Sequence, residues 1–320
     1  MKILITGGSG YFGRLIIDSL IKREDIDLII NVDKNFMSHD SPKYIFLQPE
    51  NWQNEVNKFG KIDIILNLAY KIRRPYKQKH LEIWVYENIL ISEETANFAL
   101  KNKIKKFIHF STIALYGAKP TNSLAKKFTE ESEVHLTGYD YADNKLEIER
   151  RLISLWKQNK NSKTKLIILR VASVTGPIGQ SLKSKRGLIT FLKSKLPFLI
   201  YVNDESGRQY LHENDLVNAV QFLIDLKIRR QIEIFNLAPK DFLTFKQMAK
   251  LQNKIAIKIP YLLAKLLFNF AWKISRGKIP TPPGAIDSFA YPIFVDGSKI
   301  EKYGFKYKYS SKDAFLAKQK

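Results

Sequence analysis

The sequence predicts an α/β protein built on a doubly wound parallel sheet, with a smaller, interleaved C-terminal lobe. Short apolar runs rich in β-branched residues alternate with longer segments of helical periodicity, which is the pattern of βαβ units. The first apolar run, residues 2–6, enters a glycine-rich loop, and an amphipathic segment leaves that loop. A strand, a glycine loop and a helix in this order are typical of a dinucleotide-binding unit.

The loop carries glycines at positions 7, 10 and 13. Gly7 permits a sharp turn out of the strand, and Gly10 leaves the backbone open to a pyrophosphate. Gly13 lets the following helix lie close to the strand. The N-terminus of that helix adds free N–H groups and a positive dipole end, both of which bind phosphate.

A second apolar strand, residues 28–32, ends at Asp33, twenty residues after Gly13. A carboxylate at this position binds the ribose hydroxyls of NAD. Lys34 could instead accept the 2′-phosphate of NADP, but Asp33 would repel that phosphate. The sequence therefore predicts NAD as the cofactor.

The remaining strands and helices continue this alternation. Further strands are expected at 44–48, 62–69, 106–112, 166–170 and 231–237, and helices at about 79–102, from Tyr141 to about Trp156, after Thr244 as N-cap, and at 261–274. Residues 1–170 are predicted to form the larger domain, with sheet additions near 205–238, and residues 171–320 the smaller lobe.

A basic loop at 183–187 is expected to open a helix. The apolar helix at 261–274 could pack on the lobe, form a dimer face or lie on a membrane; packing is favoured.

Composition narrows the function classes. The 320 residues contain 53 Lys+Arg and 31 Asp+Glu, a net charge of +22, and no cysteine. This charge favours anionic partners: nucleic acid, an anionic membrane surface or a phosphorylated substrate. The lysines are dispersed and no RNA-binding motif is present, so nucleic acid is not expected as a partner.

The histidines show no metal-ligand spacing. No leader precedes the first strand and no apolar run reaches the ~20 residues of a membrane span, so a cytoplasmic setting is predicted.

A candidate catalytic pair follows the fifth strand. Tyr141 and Lys145 are four residues apart, which places them on one face of a helix. Thr112 lies where the strand at 106–112 ends. Tyr139 has no such lysine, because position 143 is Asp. The spacing alone is common, but behind a dinucleotide loop it indicates acid/base chemistry.

Together these residues resemble the extended short-chain dehydrogenases/reductases of the NAD-dependent epimerase/dehydratase type. The matching segments are Thr6 to Gly13, Asp33, Asn67 to Ala69, Asn88, Phe110 to Gly117, Tyr141 to Glu147, Leu169 to Pro177, Gly207 to Leu216, Phe235 to Ala238 and Asp296 to Phe315. The match covers nearly the whole chain.

The resemblance implies a role for each matching residue. The cofactor-binding set is Gly7, Gly10, Tyr11, Phe12, Gly13, Asp33, Leu68, Ala69 and Lys145. The catalytic set is Tyr141 as general acid/base, Lys145, Thr112 on the reacting hydroxyl or carbonyl, and Asn88 as an organiser. Lys145 and oxidised nicotinamide would lower the pKa of the phenol. Arg208 would bind a substrate phosphate, and Ser173 lies in the substrate-side loop.

The resemblance also implies a nucleotide-sugar epimerase or dehydrogenase that forms a homodimer through the helices at 79–102 and 140–156. Two alternatives stay open: a dehydrogenase or reductase of another alcohol, sterol-like or lipid, and a catalytically silent NAD-binding scaffold. Tyr70 replaces an alanine of the family and could alter the nicotinamide or substrate pocket. Ile113 and Ala114 stand where the family's 4,6-dehydratases carry Asp-Glu, which argues against dehydratase chemistry.

Overall fold

A computed structural model describes residues 1–178 and 192–317, so the basic segment 183–187 lies outside the described residues. The strands are β1 Lys2–Thr6, β2 Leu28–Val32, β3 Tyr44–Leu47, β4 Ile64–Asn67, β5 Lys106–Thr112, β6 Lys165–Val171, β7 Ser173–Thr175, β8 Phe198–Tyr201, β9 Gly207–Arg208, β10 Tyr210–His212, β11 Ile232–Leu237, β12 Leu243–Thr244 and β13 Ile255–Lys258. The α-helices are α1 Tyr11–Leu20, α2 Trp52–Asn57, α3 Leu81–Lys101, α4 Asp140–Gln158, α5 Glu213–Asp225, α6 Phe245–Leu251, α7 Tyr261–Ile274, α8 Ala285–Ala290, α9 Ser298–Glu301 and α10 Ser311–Leu316.

The main sheet has seven parallel strands in the order β11-β6-β5-β4-β1-β2-β3. The strand order reverses between β1 and β4, which is where ligands bind in sheets of this kind. Thr6 and Asn67 are register partners at this point, and the Thr6 hydroxyl donates to Asn67 Oδ1 at 2.9 Å. The predicted doubly wound sheet is confirmed.

Both faces of the sheet are covered, so its strands are apolar on both sides. Successive residues of β1 point to opposite faces. Ile3 and Ile5 pack in one core with residues of α1 and α5, whereas Leu4 packs in the other with residues of α2, α3 and α4. This three-layer arrangement fixes the glycine loop and the start of α4 at the same edge of the sheet.

The C-terminal lobe is built from short strand pairs and has its own core, which includes Tyr210, Phe245, Phe289 and Phe315. Because β11 returns to the main sheet beside β6, the chain passes between the two lobes more than once. The predicted N-cap of α6 is present: the Thr244 hydroxyl accepts from Gln247 N at 3.2 Å, and Gln247 Oε1 accepts from Thr244 N at 2.8 Å.

One boundary differs from its prediction in a way that affects the site. The strand predicted at 62–69 ends at Asn67, as β4. The following residues leave the sheet because α3 binds their backbone: Asn88 Oδ1 accepts from Lys71 N at 2.7 Å, and Trp84 Nε1 donates to Lys71 O at 2.7 Å.

Candidate active site

The glycine loop joins β1 to α1 and is too tight for side chains at two of its three predicted glycines. Gly7 has φ +77°, and a Cβ there would lie 2.6 Å from Ala69 N. A Cβ at Gly13 would lie 2.4 Å from Gly8. A Cβ at Gly10 would meet only Gly7 O, at 3.3 Å, so its backbone faces open space. This is the arrangement a pyrophosphate needs.

Asp33 lies at the end of β2 beside this loop. Its carboxylate accepts from Ser9 N at 3.1 Å and from Asn35 N at 2.9 Å, which holds it at the mouth of the loop. Lys34 is largely exposed; partial desolvation of its ammonium and the nearby Lys71 ammonium lower its pKa.

Leu68 and Ala69 lie on the other side of the glycine loop. Leu68 N donates to Thr6 O at 3.0 Å. Asn88 does not contact Tyr141 or Thr112 in any described hydrogen bond; it binds the backbone of Lys71 instead. Asn88 therefore positions the segment after β4.

Tyr11 connects the loop to the C-terminal half through a residue that sequence analysis did not identify. The Tyr11 hydroxyl donates to Glu213 Oε2 at 2.6 Å, and Glu213 Oε1 accepts from Ile178 N at 2.9 Å. Glu213 is buried at the first turn of α5. Phe12 packs its ring on Tyr11 and on Phe110, at 5.3 Å and 6.5 Å between centroids.

Tyr141 and Thr112 come together where α4 begins and β5 ends. Burial raises the pKa of the Tyr141 phenol, and its hydrogen bond with the Thr112 hydroxyl offsets part of that rise. The sequence predicts a lowered phenol pKa beside Lys145. In the structure desolvation dominates, because Tyr141 lies among aromatic rings: Tyr70 at 5.7 Å and Tyr139 at 5.8 Å between centroids.

Lys145 is buried one turn further along α4. Its Nζ donates to Phe110 O at 2.7 Å and lies 4.0 Å from the centroid of the Tyr70 ring. Burial lowers the pKa of Lys145 to about 7, and the more distant Glu149 carboxylate opposes this shift. The amine can therefore gain or lose a proton near neutral pH.

Tyr70 is the centre of this aromatic group. Its hydroxyl donates to Asn144 Oδ1 at 2.9 Å, and Asn144 Nδ2 donates to Val85 O at 3.2 Å. These bonds fix the ring over Lys145 and edge-on to Tyr141. The residue that replaces the family's alanine thus forms one wall of the site.

Arg170 of β6 holds α4 at a fixed distance from the sheet. Its guanidinium donates to Glu149 Oε2 of α4 at 2.8 Å and to the Tyr116 hydroxyl at 2.9 Å. Tyr116 in turn donates to Asn236 Oδ1 of β11 at 2.8 Å. Arg170 and Glu149 are 4% and 1% exposed, so each buried charge is compensated by the other rather than by water.

Arg208 lies near Tyr139, whose ring contacts that of Tyr141 at 5.8 Å between centroids. Its Nη1 donates to the backbone oxygens of Gly207, at 2.8 Å, and of Ser288. Burial lowers the pKa of Arg208, and the nearby phenols of Tyr210 and Tyr139 oppose this. Across residues 1–178 and 192–317 no carboxylate forms an ion pair with Arg208, and the buried Tyr210 hydroxyl has no hydrogen-bond partner.

Ser173 is exposed and lies opposite Tyr210 in the β7–β10 pair. The two predicted substrate residues therefore lie on neighbouring strand pairs of the same lobe. The structure brings together Tyr141, Thr112 and Lys145 on one side, and the glycine loop, Asp33 and residues 68–69 on the other.

A comparison with protein families agrees with this geometry. The model of the NAD dependent epimerase/dehydratase family matches residues 3–238, which is most of the chain. The chain therefore belongs to this family, and its cofactor is NAD. The open backbone at Gly10 and the carboxylate of Asp33 fit that cofactor.

Individual relatives span several activities. Human dTDP-D-glucose 4,6-dehydratase is 28% identical over 262 residues, 78% of this chain and 72% of the relative. UDP-glucose 4-epimerase of Thermotoga maritima superposes with a TM-score of 0.73 at 19% identity, covering 98% of this chain and 96% of that one. UDP-glucuronic acid 4-epimerase of Bacillus cereus, solved with UDP-glucuronic acid and NAD, has a TM-score of 0.70 at 20% identity, with 99% and 98% covered.

These relatives include a 4,6-dehydratase, so the comparisons do not support the exclusion of dehydratase chemistry made from Ile113 and Ala114. What they establish is an NAD-dependent enzyme of the epimerase/dehydratase family.

We expect Lys145 to make stability depend on pH. Its pKa of about 7 lies below the ordinary value of 10.5, so the unfolded chain binds more protons between these two values. Stability should therefore rise with pH across this window, and the cost of burying the ammonium is complete below about pH 7. Urea unfolding from about pH 7 to about pH 10 should show wild type gaining free energy of unfolding relative to Lys145→Met.

The exposed Lys160→Met is the control and should follow wild type at every pH. A difference between wild type and Lys145→Met that stays constant with pH would contradict the lowered pKa.

Proposed function

We propose that this protein is a nucleotide-sugar epimerase or dehydrogenase that oxidises and reduces a sugar carbon with bound NAD. The observation that carries the proposal is the hydrogen-bonded pair Tyr141–Thr112 at the start of α4, with the buried Lys145 one turn away. We further propose that residues 1–170 hold the cofactor and residues 171–320 the substrate.

When bound, NAD supplies the hydride acceptor and, in its oxidised form, a positive charge that favours phenolate. Thr112 donates a hydrogen bond that orients the reacting oxygen. Tyr141 Oη takes the proton from the sugar hydroxyl during oxidation and returns it to the ketone oxygen during reduction. Protonated Lys145 stabilises the phenolate during this exchange. In an epimerase, the ketone rotates between the two half-reactions, so that the hydride returns to its opposite face.

Arg208 supports the proposal that the substrate is a nucleotide sugar. Its fork-shaped guanidinium suits two oxygens of a diphosphate, and it lies in the lobe next to Tyr139. Arg208 is half-buried, and a partly desolvated cation without a carboxylate partner is stabilised when an anion binds it. Relatives that act on or bind UDP- and dTDP-sugars agree with this substrate class.

Among nucleotide-sugar reactions we favour epimerisation or dehydrogenation over 4,6-dehydration. Elimination needs an acid and a base beside the substrate, and the side chains of Ile113 and Ala114 can transfer no proton. Incubating the protein with NAD and a panel of UDP- and dTDP-hexoses, with the products assigned by NMR, tests this choice. An epimer or an oxidised sugar is expected; a 4-keto-6-deoxy product would overturn it.

Tyr141→Phe should lower turnover strongly in this assay while NAD binding is retained, because only the phenolic proton path is removed. The loss expected for a general acid/base is about 10²–10⁴-fold in kcat. Tyr139→Phe removes a neighbouring hydroxyl that has no bond to Thr112, and its loss should be much smaller. Equal losses in the two variants, or an active Tyr141→Phe, would rule out the assignment and favour a silent scaffold.

Arg208→Ala should raise KM for the nucleotide sugar by the equivalent of about 1.5–3 kcal/mol, the value of a charge-assisted hydrogen bond. The dissociation constant for NAD, measured by calorimetry, should stay level. The exposed Arg230→Ala is the matched control and should change neither constant. A weaker NAD complex in Arg208→Ala would mean that Arg208 belongs to the cofactor site instead.

We also propose a homodimer formed by α3 and α4. The two helices pack on each other, and α3 exposes Ile83 and Tyr86, 55% and 61%, one turn apart. Light scattering at micromolar concentration should give twice the mass of one chain, and Tyr86→Asp should shift it to the monomer. A monomeric wild type would contradict this proposal.

A further inference from the structure

Helix α7 presents a row of large apolar side chains to solvent. Leu262, Leu266, Phe270 and Ile274 are 72%, 66%, 63% and 67% exposed, and their spacing of four residues places them along one side of the helix. Contiguous exposed apolar rows of this kind mark sites of interaction.

The opposite side of α7 packs on the lobe. Ala264 and Trp272 are buried, and Phe268 contacts Phe289 at 5.3 Å between ring centroids. The helix is thus apolar on both sides, a pattern usually found in helices that are covered all round. The packing predicted from the sequence accounts for one side only, and in the described chain nothing covers the other.

The charges around α7 indicate what covers it. Residues 242–286 contain eight Lys or Arg and no Asp or Glu. Two of these cations, Lys246 and Lys258, pair with Asp204. Lys265 and Lys273 of α7 are exposed and form no ion pair with any of the residues the structure describes. An apolar row flanked by unpaired lysines is complementary to a surface with negative charge above an apolar layer.

We infer that α7 docks on an anionic membrane surface, lying in the plane of the interface with Leu262, Leu266 and Phe270 in the acyl boundary. Its lysines can extend their heads to lipid phosphates. Fourteen residues of helix are too short to cross a bilayer, which takes about 20, and no helix within the described residues is long and apolar enough to do so.

A second copy of this chain is a poorer occupant. Pairing α7 with its own copy would bring two acid-free segments together, and their lysines would repel each other. An anionic bilayer supplies the missing charge for every lysine at once.

The docked helix lies next to the active site. Trp272 contacts the Tyr76 ring at 5.7 Å between centroids and the Arg74 guanidinium at 5.8 Å from its ring centroid. Arg74 pairs with Asp140, which begins α4 and precedes Tyr141. Membrane docking would therefore hold the start of α4 close to the lipid surface. This inference does not depend on the proposed reaction.

Co-sedimentation of the full chain with lipid vesicles tests the inference. The protein should bind vesicles of phosphatidylcholine mixed with phosphatidylglycerol, bind pure phosphatidylcholine far less, and be released by salt. Leu266→Asp/Phe270→Asp should lower the partition coefficient at least about tenfold, since two apolar anchors are lost. Lys265→Gln/Lys273→Gln should lower it about thirtyfold on anionic vesicles only.

Matched controls lie away from α7. Phe36→Asp places the same new charge at an apolar residue that is 71% exposed, and Lys160→Gln/Lys163→Gln removes two exposed lysines elsewhere. Both should bind vesicles nearly as wild type does. Circular dichroism and NAD affinity confirm that each variant is folded.

Three results would overturn the inference. One is an absence of binding to anionic vesicles by the folded wild type. Another is binding that the α7 variants do not weaken more than the controls. The last is an oligomer in lipid-free solution that Leu266→Asp/Phe270→Asp converts to a smaller species, because a second copy would then cover the row.

Discussion

The buried ion pair between Arg170 and Glu149 sets the geometry on which the site depends. Arg170 lies on β6, the strand next to the edge strand β11, and Glu149 lies on the inner side of α4, the helix that carries Tyr141 and Lys145. Through the Tyr116 hydroxyl the same guanidinium is linked to Asn236 on the last strand. Removing one partner from such a pair leaves an uncompensated charge, at a typical cost of about 3–5 kcal/mol. The ion pair therefore holds α4 at one position on the sheet.

The position of α4 on the sheet determines the electrostatic surroundings of Tyr141 and Lys145. With α4 pressed against β5, the Lys145 ammonium is confined between Phe110 O and the ring of Tyr70. Burial outweighs attraction there, so the pKa of Lys145 falls while that of Tyr141 rises. Both shifts disfavour the charged forms, which is what desolvation does to acids and bases alike. A positive charge brought in with the cofactor would act on a site that is otherwise nearly neutral.

Polar contacts between residues far apart in sequence join the glycine loop to later parts of the chain. Tyr11 in the glycine loop is bonded to Glu213 at the start of α5, and the same carboxylate holds the backbone of Ile178. The glycine loop and the segment that follows β7 are thereby joined at one carboxylate. Arg208 lies in the smaller lobe without a carboxylate partner in the described chain, whereas Arg170 in the sheet has one. The contrast separates an arginine held by a carboxylate within the fold from the arginine that we propose binds an anion.

Local spacing was enough to predict the glycine loop, Asp33 after the second strand, the doubly wound sheet and the shared helix face of Tyr141 and Lys145. Each of these follows from residues close together in the chain, where geometry is set by helical or strand periodicity. The ring of Tyr70 over Lys145, the bond from Tyr11 to Glu213 and the uncovered side of α7 were decided by the tertiary structure alone. They join or separate residues far apart in sequence, and burial, which sets pKa values and exposes or hides an apolar row, exists only once the chain has packed.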